Sequence, residues 1–353
     1  MDLTTLPSPA LIVDMSIFDF NVASADALCA TKGKKLRPHV KTHRTPALAL
    51  RQLTPMTTGL TCATVGEAEV MAAASARDVL IANEVADRTK IERIATLARQ
   101  TAVTVAVDAP EPTRALGAAA VAAGSTVGVL VDIDVGLSRC GVSSTEAAVR
   151  LGHLVTRTPG LRLAGLMGYE GRRRASDAHR SALIARAYGR LAEAKDAFDR
   201  MGLAAPIISS AGTSTLHEAL ADPVITEIQA GTYALMEANL EGLELPFEPA
   251  TLVTATVISR SGRRIVLDVG RKSIAGDYGP PQPLLQGATV TGFHEEHTTL
   301  CFDEGATMPE LSDRVLLRPE HVRLTFNLND AAWLSHPVGG MEEVQVTARG
   351  RSW

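Results

Sequence analysis

The chain has 353 residues, 46% of them hydrophobic and 21% charged, with 35 Lys and Arg against 39 Asp and Glu for a formal charge of −4. That length exceeds the single-core range of about 100–200 residues, so one large barrel or two domains are expected, in a chain of ordinary globular composition. A near-neutral chain lacks the basic footprint of a nucleic-acid binder, no apolar run approaches the ~20 residues of a membrane span, and Met1-Asp2-Leu3-Thr4 lacks the basic start of a secretory signal. A cytoplasmic enzyme working on a small molecule is expected, with neither nucleic acid nor membrane as partner.

An apolar strand at 10–14 precedes the first helix. β-type runs then recur near 36–41, 59–63, 79–82, 103–107, 127–133, 163–167, 207–209 and 227–230. Between them lie Ala-rich amphipathic stretches such as 65–74, 86–99, 145–156 and 180–201. Strands alternating with helices predict a parallel sheet with helices outside. Eight units over about 210 residues suit a (β/α)8 TIM-type barrel, with a doubly wound open sheet as the other solution. After 245 the texture becomes short β runs at 251–259, 263–269, 288–293 and 314–317 between Gly, Pro and charged turns. The expected division is therefore a barrel over 15–245 and a smaller, mostly-β domain over 246–353, joined by the strand within 1–14.

Several chemistries fail on spacing. Cys29, Cys62, Cys140 and Cys301 form no CxxC pair, which argues for buried thiols rather than a disulfide framework or Cys-rich zinc site. His294-Glu295-Glu296-His297 sets its histidines three apart, not the four of a zincin helix. Gly270-Arg271-Lys272-Ser273 lacks the upstream glycine of a P-loop, and neither GxGxxG at a helix start nor GxSxG occurs.

In a barrel, function gathers at the C-terminal ends of the strands. Ser209-Ser210-Ala211-Gly212-Thr213 and Gln229-Ala230-Gly231-Thr232-Tyr233 end the seventh and eighth barrel strands. Small residues let backbone N–H groups approach an anion there, and the Ser210, Thr213 and Tyr233 hydroxyls add donors for a phosphate. On the first barrel strand, Lys41 alternates with His39 and His43 and is expected to share their face. A partly desolvated lysine beside cationic groups has a lowered pKa and forms Schiff bases. Lysine plus phosphate loop implies pyridoxal phosphate, or else a barrel aldolase that bonds a sugar phosphate directly.

At these residues the chain resembles the fold-type III pyridoxal-phosphate enzymes, specifically the D-threonine aldolase, D-serine dehydratase and 3-hydroxy-D-aspartate aldolase family. The resembling segments run in order along nearly the whole chain: TLPSPALIVD at 5–14, RPHVKTHR at 37–44, TCATVGEAE at 61–69, VDIDVGLSRCGV at 131–142, EIQAGTYALM at 227–236, LDVGRKSIAGDYGPP at 267–281, PEHVRLTFNLND at 319–330 and VTARGR at 346–351. The resemblance implies an alanine-racemase-like barrel with a C-terminal β domain and a homodimer with shared active sites. It implies that Lys41 holds the cofactor, and that Ser210, Gly212, Thr213, Gly231 and Tyr233 hold its phosphate. It places Arg139 at the cofactor phenolate or the substrate, Tyr169 at the ring or in proton transfer, and His43 in positioning.

The resemblance also implies a divalent metal held by a C-terminal histidine and a Cys or Asp two residues later, meeting the substrate's β-hydroxyl. Here that pair is His321 and Arg323. Arginine presents donors only, so a metal site reduced to His321 is weak. Three readings follow. Arg323 replaces the metal as a fixed cation in a metal-independent lyase that cleaves or dehydrates a D-configured β-hydroxy amino acid. Alternatively, β-hydroxyl chemistry is lost and the enzyme is an amino-acid racemase or epimerase. Or His321 and Arg323 only form ion pairs with nearby acids. A non-catalytic pyridoxal-phosphate carrier is a further alternative, against which the large C-terminal domain argues.

Overall fold

The computed structural model describes residues 3–171, 173–237, 240 and 242–353. The chain divides into two compact units. One holds Ala25–Lys41, Pro46–Gly231 and Arg351–Trp353; the other holds the chain up to Ser24, Thr42–Thr45 and Thr232–Gly350. Strand β1 (Ala10–Asp14) leads into helix α1 (Met15–Thr31).

The first unit is the barrel. Its strands are β2 (Lys35–Leu36), β3 (Leu60–Cys62), β4 (Asp78–Ile81), β5 (Ala102–Val107), β6 (Val127–Asp132), β7 (Leu161–Met167), β8 (Ile207–Ser210) and β9 (Glu227–Ile228). All pairings are parallel, in the order β2-β9-β8-β7-β6-β5-β4-β3. Bridges from Leu36 to Thr57 and from His39 to Thr61 join the two ends of that order. The helices between strands are α2 (Pro46–Arg51), α3 (Val65–Ala73), α4 (Arg88–Leu97), α5 (Pro110–Ala123), α6 (Thr145–Arg157), α7 (Arg180–Arg200) and α8 (Leu216–Ala221).

Local sequence explains where these helices begin and end. Thr64, Asp87 and Ser144 each accept a backbone N–H from the first turn of α3, α4 and α6. Helix α5 opens on Pro110 and stops at Gly124, whose φ of +65° a glycine adopts without strain. Helix α6 buries Ala148, Leu151, Gly152 and Val155, the stripe that a 3.6-residue period places on one face. Because helices cover the outside and side chains fill the inside, β6 is buried at every position. Leu80, Ala106, Leu130, Ala164 and Met167 form one cluster of that core. Gly165 allows β7 and β8 their close approach: a Cβ there would lie 1.9 Å from the Ile207 carbonyl oxygen.

Arg37 is almost fully buried in the same unit. Its Nε donates to Glu227 at 2.9 Å and its Nη1 to Asp78 at 2.7 Å, while Ser209 and Thr58 donate to the two Glu227 oxygens at 2.7 and 2.6 Å. Asp78 and Glu227, the two acids that hold Arg37, are the first residues of β4 and β9.

In the second unit, β10 (Thr251–Ser261), β11 (Arg264–Leu267), β12 (Gln282–Pro283), β13 (Ala288–Phe293), β14 (Thr298–Phe302), β15 (Arg314–Arg318), β16 (Ala331–His336) and β17 (Gly340–Gln345) build a sheet with β1, and α9 (Val322–Leu328) precedes β16. β1 pairs antiparallel with β10, Ala10 opposite Thr254, and parallel with β16, Ile12 opposite Trp333. Leu6, Ala10 and Ile12 pack with Leu252, Leu316 and Trp333. The fold is thus the expected (β/α)8 barrel with a smaller, mostly-β region that recruits the N-terminal strand.

One local expectation is corrected. Strand pairing near 36–41 ends at His39, whose N–H donates to Ala230 at 3.0 Å, and Val40–Thr42 turn into a 3-10 helix. His39, Lys41 and His43 therefore do not alternate along one strand. His294–His297 is a turn between β13 and β14, closed by the His294 N–H on the His297 carbonyl. Cys29, Cys62, Cys140 and Cys301 are free thiols. Among the described residues no helix is long and apolar enough to cross a membrane.

Candidate active site

The C-terminal ends of the barrel strands collect one group of the expected residues. Lys41 is half-buried in its 3-10 turn, and its Nζ lies 5.9 Å from the centre of the Tyr169 ring. The Arg139 guanidinium lies 5.6 Å from the same ring. Tyr169 follows β7 by two residues, and Arg139 stands in the loop after β6. A Cβ added to Gly212, in the loop after β8, would lie 3.6 Å from Tyr169 Cε2. An amine, a guanidinium, an aromatic ring and a small-residue loop thus meet around Tyr169. Gly231 follows Ala230, whose carbonyl receives the His39 N–H two residues before Lys41.

The loop after β8 is organised from beneath by Glu170, which sequence reasoning missed. Glu170 is buried at 1% exposure and accepts from Tyr188 Oη at 3.2 Å, from Ser210 Oγ at 3.2 Å and from Thr215 Oγ1. Ser210 also donates to the Gly168 carbonyl at 2.6 Å. Its single hydroxyl proton is engaged inside the protein. Burial pushes the Glu170 carboxyl above its ordinary value, against the hydrogen bonds from Thr215, Ser210 and Tyr188. Ala211 takes a left-handed φ of +67°, a conformation that a non-glycine residue holds only when its surroundings enforce it.

A second cluster missed from the sequence lies after β4, β5 and β6. Asp132 is buried, and burial together with the neighbouring Glu84 carboxylate pushes its carboxyl above the ordinary range. Glu84, Asp108 and Cys140 bring one potential ligand atom each within 4.8 Å of one another. Burial, then the Glu84 carboxylate, raises the Cys140 thiol to about 11, which makes it a poor nucleophile.

The second unit holds the remaining expected residues. His43 is buried; its Nδ1 accepts the Thr45 N–H at 3.1 Å and its ring meets Phe326 edge-on at 6.5 Å. Tyr233 is fully buried with its ring 5.6 Å from Phe247. His321 caps α9. The Ala275 N–H donates to the Thr325 hydroxyl and the Asn329 amide to the Ser273 carbonyl, which lays the 273–278 segment along that helix. This delivers Asp277, 2.7 Å from His321 Nδ1, and Tyr278, stacked on the His321 ring at 4.1 Å. Arg323 Nε lies 3.2 Å from buried Glu237, and Arg323 Nη2 lies 3.3 Å from Tyr278 Oη. Arg44 Nη1 donates to the Arg323 carbonyl at 2.7 Å.

The chain matches the family model for the alanine racemase N-terminal domain over residues 13–238 and that for a putative serine dehydratase domain over residues 250–334. It is 34% identical over 365 residues to the D-threonine aldolase of an Arthrobacter species, across 99% of this chain and 94% of that protein. The chain belongs to the alanine-racemase-like family of D-threonine aldolases and D-serine dehydratases. Among solved members, the D-threonine aldolase of Filomicrobium marinum superposes with a TM-score of 0.93 at 37% identity, covering 99% of this chain and 98% of that one. The D-threo-3-hydroxyaspartate dehydratase of Delftia sp. HT23 superposes with a TM-score of 0.87 at 26% identity, with 99% of each chain covered.

The two groups that the family resemblance implies fare differently against these residues. Pyridoxal phosphate fits: Lys41 offers a primary amine for its aldehyde, Tyr169 a surface for its ring, and Arg139 with the loop after β8 donors for its anionic groups. Thr42, next to Lys41, has a buried hydroxyl without a hydrogen-bond partner, an atom that a ligand or water would satisfy. A divalent metal at His321 and Arg323 does not fit. A guanidinium cannot ligate, so of the implied pair only one nitrogen remains, His321 Nε2, with Asp277 holding Nδ1.

Proposed function

We propose that this chain is a pyridoxal-phosphate-dependent lyase that acts on a D-configured β-hydroxy amino acid. The observation that carries the reading is Lys41, with its Nζ 5.9 Å from the Tyr169 ring centre at the strand ends of an alanine-racemase-like barrel. Pyridoxal phosphate supplies an electron sink for the bond to the substrate Cα that breaks. Lys41 would provide the amine that holds the cofactor, and as a free amine it could carry the proton that Cα gains in cleavage or loses in dehydration or racemisation. Tyr169 supports the ring or passes a proton; Arg139 holds the phenolate or the substrate carboxylate. Gly212, Thr213, Gly231 and Tyr233 bind the phosphate, with His39 and His43 positioning the lysine turn. Ser210 serves by shaping the loop, since its proton rests on Gly168 and Glu170.

His321 and Arg323 handle the β-hydroxyl without a metal. With its Nδ1 proton on Asp277, His321 presents Nε2 as an acceptor for the hydroxyl proton, and the Arg323 guanidinium stabilises the developing oxygen charge. This favours retro-aldol cleavage, and the two D-threonine aldolases are more similar to the chain than the dehydratase is. The second reading, a racemase or epimerase that exchanges only the α-proton, also rests on the arginine at 323. We further propose that residues 15–245 bind the cofactor, that the enzyme is a homodimer with shared sites, and that it works in the cytoplasm.

The test is to incubate the purified protein with D- and L-β-hydroxy amino acids and identify products. Aldehyde with the shortened amino acid is expected from D substrates; keto acid with ammonia would mean dehydration, and inverted substrate would mean racemisation. Lys41→Ala must abolish the visible absorbance of bound cofactor; its persistence would refute the lysine assignment.

A further inference from the structure

We propose that Glu170 is the positioning residue that holds the loop after β8 in its phosphate-receiving conformation. This rests on the pyridoxal-phosphate reading above. Glu170 acts through the hydroxyls that it holds. It sits behind the loop, buried at 1% exposure, one residue after Tyr169. Three hydroxyls from three segments converge on its carboxyl: Tyr188 from α7 at 3.2 Å, Ser210 from the end of β8 at 3.2 Å, and Thr215 from the 3-10 turn Thr213–Thr215.

Two consequences reach the loop backbone. Thr215 Oγ1 donates to Glu170 and accepts the Gly212 N–H at 3.2 Å, so the carboxyl fixes the orientation of the Gly212 peptide through one intermediary. Ser210, held by Glu170 and Gly168, anchors the other side of Ala211. Ala211 is buried and left-handed at φ +67°, a geometry that relaxes unless both flanks are pinned. From outside, the Arg173 N–H donates to Ser214 Oγ at 3.2 Å and Arg180 Nη2 to the Ser214 carbonyl at 2.6 Å. Those contacts steady the far end of the turn. They reach neither Ala211 nor Gly212. The inner side of the turn depends on Glu170.

The role is one of hydrogen-bond geometry, so an isosteric amide can take it over, because hydroxyls donate or accept as the partner requires. Glu170→Gln should therefore keep the loop, and Glu170→Ala should not. The effect should fall on the phosphate, because the hydroxyls that Glu170 holds, Ser210 and Thr215, flank Gly212.

The experiment titrates cofactor-stripped full-length protein with pyridoxal phosphate and, separately, with pyridoxal, which lacks the phosphate, following visible absorbance. Glu170→Ala should bind pyridoxal phosphate about tenfold more weakly or worse, as expected for loss of several buried hydrogen bonds, with pyridoxal affinity unchanged within about twofold. Glu170→Gln should stay within about threefold of the native protein for both. Thr215→Val, nearly isosteric, breaks the same relay and should show the same selective loss should Glu170→Ala fail to fold. Variants that bind pyridoxal phosphate like the native protein, or that lose both ligands in parallel, overturn the inference. A native protein that binds neither ligand overturns the cofactor reading instead.

Discussion

Two arginines in this chain each meet a buried glutamate, and their surroundings differ. Arg37, with 4% of its side chain exposed, is closed in by Glu227 and Asp78, and Glu227 takes further hydrogen bonds from Thr58 and Ser209. Arg323, with 23% exposed, meets Glu237 at 3.2–3.5 Å and Tyr278 at 3.3 Å. Arg37 is held by the acids that begin β4 and β9, and Arg323 lies in a position where the family resemblance implies a metal ligand. A tight, fully enclosed pair belongs to the scaffold. A looser pair with an exposed edge can be reached by a substrate oxygen.

If that distinction holds, the two arginines fail in different ways. Arg37→Ala should cost about 3–5 kcal/mol in denaturant unfolding, because Glu227 is left as an uncompensated buried charge, while activity per folded molecule is unchanged. Arg323→Ala also leaves a buried glutamate, Glu237, and so should destabilise as well, but unlike Arg37→Ala it should slow cleavage of a D-β-hydroxy amino acid per folded molecule about 100-fold in steady-state assays, the scale for losing one group that stabilises an oxyanion. Arg323→Asp should gain Mn²⁺ binding with His321 in equilibrium dialysis; a variant that still binds none would show that position 323 does not decide the metal question.

Asp132 sharpens the contrast, since burial and a neighbouring acid, Glu84, outweigh the opposing charge of Arg139. Its carboxyl is raised in the folded protein, so the folded state holds a proton that the unfolded chain releases near pH 4. Stability from this group is complete below that value and falls as pH rises through the raised folded value. Unfolding free energy should therefore decline from about pH 5 upward by at most ~1.4 kcal/mol per pH unit, and Asp132→Asn should flatten the decline. The smallest effect is expected at Cys140, whose thiol is raised to about 11: Cys140→Ser should leave turnover within about twofold.

The eight barrel strands and the β region were legible because period and turn residues are local signals. The 3-10 turn at Val40–Thr42 was not, since three residues of apparent alternation cannot distinguish a strand from a turn, and the pairing that ends at His39 is made with distant Ala230 and Thr61. That Lys41, Arg139, Tyr169 and Gly212 lie together at strand ends was legible in the sequence. Glu170, Asp277 and Glu237 were not, because an acid shows its role only through its partners. Those partners lie 18 to 45, 44 and 86 residues away along the chain. The arginine at 323 was visible at once, but its glutamate was not.

The central claim is that Arg323 stands in for a metal in a lyase that acts on D-β-hydroxy amino acids. The direct measurement is aldehyde formation from D-threonine, a representative D-β-hydroxy amino acid, by holoenzyme freed of divalent ions with chelator, compared with the same protein resupplied with Mn²⁺. Equal rates are predicted. Activity that disappears on chelation and returns with Mn²⁺ would contradict the account.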